Sequence, residues 1–437
     1  MEYEEWLKNK SLDYRNGILY FASVNTIELA EQYGTPVYIT DEQLIRKRYR
    51  ELKGLLDTNY KNNQIHYAVK ANSNLAILNI LKSEGSGFDC TSQGEIYACL
   101  KAGVNSKNIL YTGNMFTDKD FEFAVENNIV VNLDSISQLK RLIRIHDKLG
   151  KPKVIISFRI NPEFGAGHHV HTITAGKEIK FGILENQVLE AYKSAKDVGF
   201  QKFGIHQHIG SGIIDAKDFE KAAGNYLSII KTIASSLDIN FEFVDFGGGL
   251  GIPYKPEQEP LDLNIYKELV IDPLKKLVET GIIGTPVFKI EPGRYLSAES
   301  TIILTQINTI KNNGFKLFAG IDAGFNTLIR PTMYGSYHHI ELCNRKERES
   351  MLEYDIAGPI CESGDILGRN RMLPKLEEGD LLAILDAGAY GFAMASSYNS
   401  RPRPAELLIN NKSIFEIRKA ETLSDLLERQ FIPKHLQ

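Results

Sequence analysis

Between residues 64 and 294, short runs rich in β-branched and aromatic residues alternate with longer stretches whose apolar residues return at helical spacing. No other feature limits the fold so strongly. The runs are 65–69, 87–90, 109–111, 129–133, 154–160, 202–208, 241–246 and 287–290, and the amphipathic stretches include 93–102, 137–149, 184–198, 219–235 and 263–280. Strand, helix and strand in succession build a parallel sheet, because the helix returns the chain to the end where the last strand began. Eight such units in about 230 residues suit a TIM (β/α)8 barrel, whose usual size is about 250. A doubly wound open sheet is the competing arrangement.

The flanks follow another pattern. Residues 17–24 and 36–40 are expected to be strands around a short helix that Asn25 caps, with Glu28 three positions on. After the barrel, 301–310, 316–321, 337–341, 354–357 and 381–385 are short strands broken by Gly, Pro and Asn, with little helical periodicity between them. The chain is therefore expected to be α/β in three parts. Residues 1–42 pack with the β domain, 43–295 form the barrel, and 296–437 form a C-terminal, mostly β domain completed by the N-terminal strands.

Composition excludes several functions. With 437 residues, 43% hydrophobic, 24% charged and a net charge of -4, the chain has a globular profile and no basic stripe for nucleic acid. No stretch approaches the ~20 apolar residues that cross a bilayer, so no membrane partner is expected. Residues 1–10 lack the basic start and apolar stretch of a secretory signal, which points to the cytoplasm. The four cysteines, Cys90, Cys99, Cys343 and Cys361, make no CxxC pair and suggest neither a disulfide framework nor a thiolate metal site.

Active sites of such barrels sit at the C-terminal ends of the strands, and unusual polar residues collect there. Lys70 follows the first strand, Asp89 and Ser92 the second, Gly113 and Asn114 the third, Asp134 and Ser135 the fourth. Arg159 and Asn161 end the fifth, His206 and His208 the sixth, Asp245 to Gly249 the seventh, and Glu291 to Arg294 the eighth. The Asp-Phe-Gly-Gly-Gly run at 245–249 can turn successive amides toward an anion. By itself it is as well explained by a tight turn. A second such feature, Glu-Pro-Gly-Arg at 291–294, ends the neighbouring strand, and the last two strands are where barrels commonly hold phosphate.

Lys70 would be an ordinary surface lysine if it stood alone. At a barrel mouth, low-dielectric walls lower the pKa of an amine and free it for Schiff-base chemistry. Glu291 arrives from the adjacent last strand as the acidic partner that a pyridoxal phosphate (PLP) ring needs at its nitrogen. His206 and His208 share one face of a strand, so one can stack on a ring, although His206 can equally be a satisfied core residue. Metal binding is the rival for these two, with His168, His169 and His171 nearby in sequence, but no carboxylate cluster accompanies either group.

Taken together, Tyr-Ala-Val-Lys-Ala-Asn at 67–72, Asp-Cys-Thr-Ser-Gln-Gly-Glu at 89–95 and His-Gln-His-Ile-Gly-Ser at 206–211 resemble the fold-type III PLP decarboxylases. So do the glycines 247–249, Glu-Pro-Gly-Arg at 291–294, Cys-Glu-Ser-Gly-Asp at 361–365, and Asp-Ala-Gly-Phe-Asn-Thr-Leu-Ile-Arg-Pro at 322–331 followed by Met-Tyr-Gly-Ser-Tyr-His. The resemblance covers nearly the whole chain. It implies a PLP-dependent carboxy-lyase, a homodimer with active sites shared between subunits, and a small-molecule substrate.

Residue by residue, the resemblance implies that Lys70 carries the cofactor, His208 stacks on its ring and Glu291 meets the pyridine nitrogen. Ser211, Gly249, Gly293, Arg294 and Tyr390 hold the phosphate, and Asp89 and Gly248 belong to the same cofactor set. Cys361 reaches in from the partner subunit as a proton donor; by sequence alone it would be an inert buried thiol. Arg294, Arg330 and Tyr334 bind the distal carboxylate of the substrate, Glu362 takes the distal amine, and Tyr390 belongs to the same substrate-binding set. A guanidinium pair beside one acid selects a distal amino-acid head group. That disfavours sister enzymes acting on ornithine, lysine, arginine or carboxynorspermidine. A non-catalytic PLP-binding barrel would have no need of Cys361 and Tyr390, and a zinc hydrolase is weaker still.

Overall fold

The strands Asn63–Ala68, Gly87–Cys90, Ile109–Thr112, Val130–Leu133, Ile155–Asn161, Lys202–Gln207, Phe241–Asp245 and Val287–Ile290 pair in parallel, each with its neighbours. Ile290 aligns with Ile65 at one seam, and Leu133 aligns with Phe158 at the other, so the sheet closes. Closure removes the open-sheet alternative. The computed structural model describes residues 2–162, 165, 174–176, 179–345 and 350–437. His168, His169 and His171 therefore lie outside the described residues.

Local chemistry starts the barrel helices where the sequence places caps. Asn74 accepts from the Ala76 amide at the head of Leu75–Ser83, and Ser92 from Glu95 at the head of Gln93–Lys101. Thr117 and Asp120 form a reciprocal capping box at Asp118–Glu126, and Ser135 caps Ile136–Leu149. Such caps satisfy amides that have no partner inside the helix. The last crossover, read as one helix over 263–280, is Leu263–Tyr266, a π-helical turn Lys267–Ile271 and Asp272–Glu279.

The barrel interior is packed by reciprocal size. A Cβ on Gly87 would lie 2.7 Å from the His66 ring, and one on Gly204 would lie 2.1 Å from Cζ of Phe243, so each glycine makes room for a neighbouring ring. Toward the C-terminal mouth the interior turns polar, and Asp89, Thr112, Asn132, Arg159, His206, Asp245, Lys289 and Glu291 are all buried. Polar groups taken out of water must find partners or a ligand. The mouth of the barrel is thus marked out by its own side chains.

Contacts divide the chain into two compact units, Arg46–Pro253 with Glu259–Leu296, and Met1–Ile45 with Tyr254–Gln258 and Ser297–Gln437. The second unit centres on the long strand Thr301–Asn312, which pairs antiparallel with Val37–Asp41, Leu317–Ile321 and Leu381–Ile384. Val37–Asp41 also runs parallel to Ala405–Asn410, so the N-terminal strand completes the C-terminal β domain. Its core joins Trp6, Leu12, Phe21, Ile39, Leu304, Leu385 and Leu407. Each such side chain contributes roughly 1.5–3 kcal/mol when fully buried. Of the expected strand 337–341 only the end is regular, as Ile340–Leu342. Ile366–Pro374 and Ser413–Arg418 are further strands beyond those read from the sequence. Among the described residues, no helix is long and apolar enough to cross a membrane.

Candidate active site

Lys70 stands on a short turn, Val69–Ala71, immediately beyond the first barrel strand. Its Nζ donates to Oδ2 of Asp89 at 3.0 Å, and its side chain is 34% exposed while Asp89 is fully buried. Burial and the nearby Glu291 push the Asp89 carboxyl up, and the Lys70 charge and hydrogen bond pull against them. The amine therefore points into the barrel mouth on a fixed anchor. It lines a cavity of about 380 Å³ together with Thr91, Thr112, Arg159, His206, His208 and Glu291.

Glu291 directly follows the eighth strand, buried, with Oε2 3.1 Å from Nε2 of His206 and Oε1 accepting from Thr112 Oγ1 at 3.4 Å. Burial alone would raise its pKa. The charge and hydrogen bond of His206, joined by the charge of Lys70, outweigh burial and hold the carboxyl well below the usual range. This carboxylate thus faces the same space as the amine. His206, Asp245 and Glu291 also bring one ligand atom each within 4.8 Å of one another, the set among the described residues that could hold a metal.

The sixth strand ends at Gln207, so His208 begins the following loop rather than sharing the strand with His206. Its ring nonetheless reaches the same cavity. Nδ1 of His208 accepts the Gly248 amide at 3.0 Å, which leaves the proton of the neutral ring on Nε2. Burial, then the charges of Arg159 and Lys70, push its pKa well below 6.5. The imidazole is neutral and held by one edge.

The loops at the ends of strands six to eight are laced together. Ile213 N–H donates to Gly249 O at 2.9 Å, Glu291 N–H to Gly247 O at 2.8 Å, and Arg294 Nη2 to Ser211 Oγ at 3.1 Å. Gly247 and Gly249 take left-handed backbone, with φ of 69° and 110°, which only glycine adopts without strain. Ala68 N–H donates to Pro292 O at 3.3 Å, and a Cβ on Gly293 would meet that of Ala71 at 2.9 Å, so the eighth-strand loop sits against the Lys70 turn. Lys70, Asp89, His208, Ser211, Gly248, Gly249, Glu291, Gly293 and Arg294 all fall in this one unit.

Arg330, Tyr334, Cys361, Glu362 and Tyr390 belong to the other unit. There Arg330 is buried, its Cζ 5.9 Å from the Tyr334 ring and 5.8 Å from those of Tyr390 and Tyr254. Tyr390 holds a left-handed backbone, φ 59°, uncommon for a residue with a Cβ. Cys361 and Glu362 lie on an exposed face of that unit. The Cys361 amide donates to Asn399 Oδ1 at 3.2 Å, and Tyr398 Oη donates to Glu362 Oε1 at 2.7 Å. Asp365 anchors their loop by accepting from the amides of Phe325 at 2.6 Å and Ile360 at 2.7 Å.

Sequence reasoning did not assign a role to Arg159, Thr112, Lys180 or Phe181, all of which line the cavity. Arg159 is buried with Cζ 4.4 Å from the Phe181 ring, and burial brings its pKa down to about 10. Its position at a strand end was the available signal. Thr112 and Phe181 carry none, because a threonine or phenylalanine announces no chemistry until the fold shows where it points.

The donor set suits one kind of occupant. A primary amine, an ionised carboxylate, a neutral imidazole and an Arg–Ser pair beside glycine amides match an aldehyde, a pyridine nitrogen, an aromatic face and a phosphate. Fold and site together define a barrel enzyme that holds pyridoxal phosphate. Residues 42–298 match the family described as pyridoxal-dependent decarboxylase, pyridoxal binding domain. The chain belongs to the diaminopimelate decarboxylases. It is 48% identical over 421 residues to the diaminopimelate decarboxylase of Methanothermobacter thermautotrophicus, covering 96% of this chain and 97% of that one. The solved diaminopimelate decarboxylase of Methanocaldococcus jannaschii superposes with a TM-score of 0.91 at 35% identity, over 99% of this chain and 100% of the other, and has also been solved with L-lysine. The Helicobacter pylori enzyme complexed with L-lysine gives a TM-score of 0.85 at 36% identity, over 92% and 98%.

Proposed function

We propose that this chain removes one carboxylate of meso-2,6-diaminopimelate as carbon dioxide and leaves L-lysine. The observation that carries the reading is the Lys70 amine and the ionised Glu291 carboxylate facing one cavity at the barrel mouth. Pyridoxal phosphate, when bound, supplies the electron sink that accepts the charge left as carbon dioxide departs.

The chain's own residues do the rest. Asp89 orients the Lys70 amine at 3.0 Å, so that the nitrogen presents its reactive face to the cavity. Glu291, whose carboxyl is held well below the usual range, would keep a proton on the ring nitrogen of bound pyridoxal phosphate. His208, fixed by Gly248, would cover one face of the cofactor ring without adding a charge. Arg294, Ser211, Gly249 and Gly293 would hold the phosphate, a role in which Tyr390 would join them.

Arg330 and Tyr334 bind the carboxylate at the far end of the substrate, and Glu362 takes the amine there. A buried guanidinium among aromatic rings suits that task, since desolvation strengthens its pull on an anion. The partner subunit's Cys361 returns a proton to the carbon that lost carbon dioxide. The exposed position of Cys361 and Glu362 supports a homodimer that completes each site from two chains. The protein works in the cytoplasm.

Carbon dioxide release from meso-diaminopimelate, measured with the PLP-loaded enzyme against ornithine, lysine and arginine, tests the reading. Diaminopimelate is expected to be far the fastest. Comparable turnover of ornithine would overturn the assignment.

A further inference from the structure

We propose that His338 is a positioning residue that aims the Arg330 guanidinium at the far carboxylate of the substrate; this rests on the reading of Arg330 just given. His338 is fully buried, and its Nδ1 lies 2.8 Å from the carbonyl oxygen of Leu385. A carbonyl can only accept, so Nδ1 carries the hydrogen and Nε2 presents a lone pair. Arg330 Nε–H donates to that lone pair at 3.4 Å, while Arg330 Nη2 donates to Ser336 Oγ at 3.1 Å.

These two bonds take the same edge of the planar fork, and with one edge held the whole plane is held. The Tyr254 ring meets His338 edge-on, with centroids 5.4 Å apart, so the imidazole itself has little freedom to turn. The neutral ring orients the arginine without neutralising it. An aspartate or glutamate at 338 would instead close an internal ion pair and compete with the substrate's carboxylate for the guanidinium.

The test uses ligands that differ only at the far end. L-lysine carries an amino-acid head there, whereas 1,5-diaminopentane carries an amine alone. His338→Asn keeps a donor toward Leu385 O and loses the acceptor toward Arg330; His338→Gln places an amide oxygen near the lost Nε2. For the PLP-loaded enzyme, His338→Asn is expected to weaken L-lysine inhibition about tenfold. The KM for meso-diaminopimelate should rise alike, kcat should stay within a factor of about two, and diaminopentane inhibition should not move. His338→Gln should recover most of the lost lysine affinity.

Equal loss of lysine and diaminopentane together with the cofactor's visible absorption would mean that His338 is merely structural, and unchanged lysine inhibition in His338→Asn would equally overturn the proposal. Arg330→Gln separates the two levels. If it fails to weaken lysine relative to diaminopentane, the reading of Arg330 itself is wrong; if it does so while His338→Asn has no effect, only the role of His338 falls.

Discussion

The Gly248 amide donates to Nδ1 of His208 across 3.0 Å, and that single bond decides which nitrogen of the ring bears the proton and which way the ring faces. Behind Gly248 there is no room. A Cβ there would lie 2.4 Å from the Glu291 carbonyl oxygen, so the glycine holds His208 on one side and touches the eighth-strand loop on the other.

Gly248→Ala is therefore expected to cost about 1–3 kcal/mol through overpacking. The strain falls on the two loops that carry His208 and Glu291, so PLP affinity should drop with stability. Thermal melting with and without added cofactor measures both.

Lys70→Ala removes the amine that reaches the cavity. The visible absorption of the lysine-bound cofactor should vanish, and turnover should fall by about 10²–10⁴ or more, because the same amine also handles protons. The spectrum and steady-state carbon dioxide release check this, and unaltered folding by circular dichroism shows that the loss is local.

Acid should weaken the folded state through its buried histidines. For His208, burial followed by the Arg159 and Lys70 charges holds the pKa well below 6.5, and for His66 burial followed by the Lys289 charge does the same. Below about pH 6.5 the unfolded chain binds protons that the folded chain refuses, so stability is lost as pH falls through that value. Asp386 works the other way: burial pushes its pKa up to about 6, so the folded state gains from protonating it. His208→Asn isolates the histidine contribution. Urea midpoints at about pH 7.5 and pH 5.5 should fall further for the parent than for the variant.

Sites completed from two chains can be mixed. Lys70→Ala and Cys361→Ala are each expected to be nearly inactive. Combined in equal amounts and allowed to exchange subunits, they should regain about a quarter of the parent activity, since half the dimers are hybrids with one intact site. No recovery on exchange would refute the shared site.

Much of the fold was legible because parallel barrels announce themselves twice, through the alternation of runs and through polar residues at the strand ends. All eight barrel strands were read within a few residues, since each is a short apolar run bounded by a turn or a capped helix. The helices Leu75–Ser83 and Asp118–Glu126 were not named. Ala405–Asn410 was missed as well, because its partner Val37–Asp41 lies at the opposite end of the chain and no local pattern reports such a pairing.

By itself the sequence determined the residue types at the strand ends, the caps that start the helices, and the glycines whose backbone no other residue could take. Those follow from local sterics and from the two periodicities of regular structure. Only the tertiary structure decided that Glu291 is bonded by His206 and held ionised, that His208 is neutral with its proton on Nε2, and that Arg330 leans on His338. Each depends on groups far apart in the chain meeting within hydrogen-bond distance in a buried space, where a charge has its strength set by what surrounds it rather than by its neighbours in sequence.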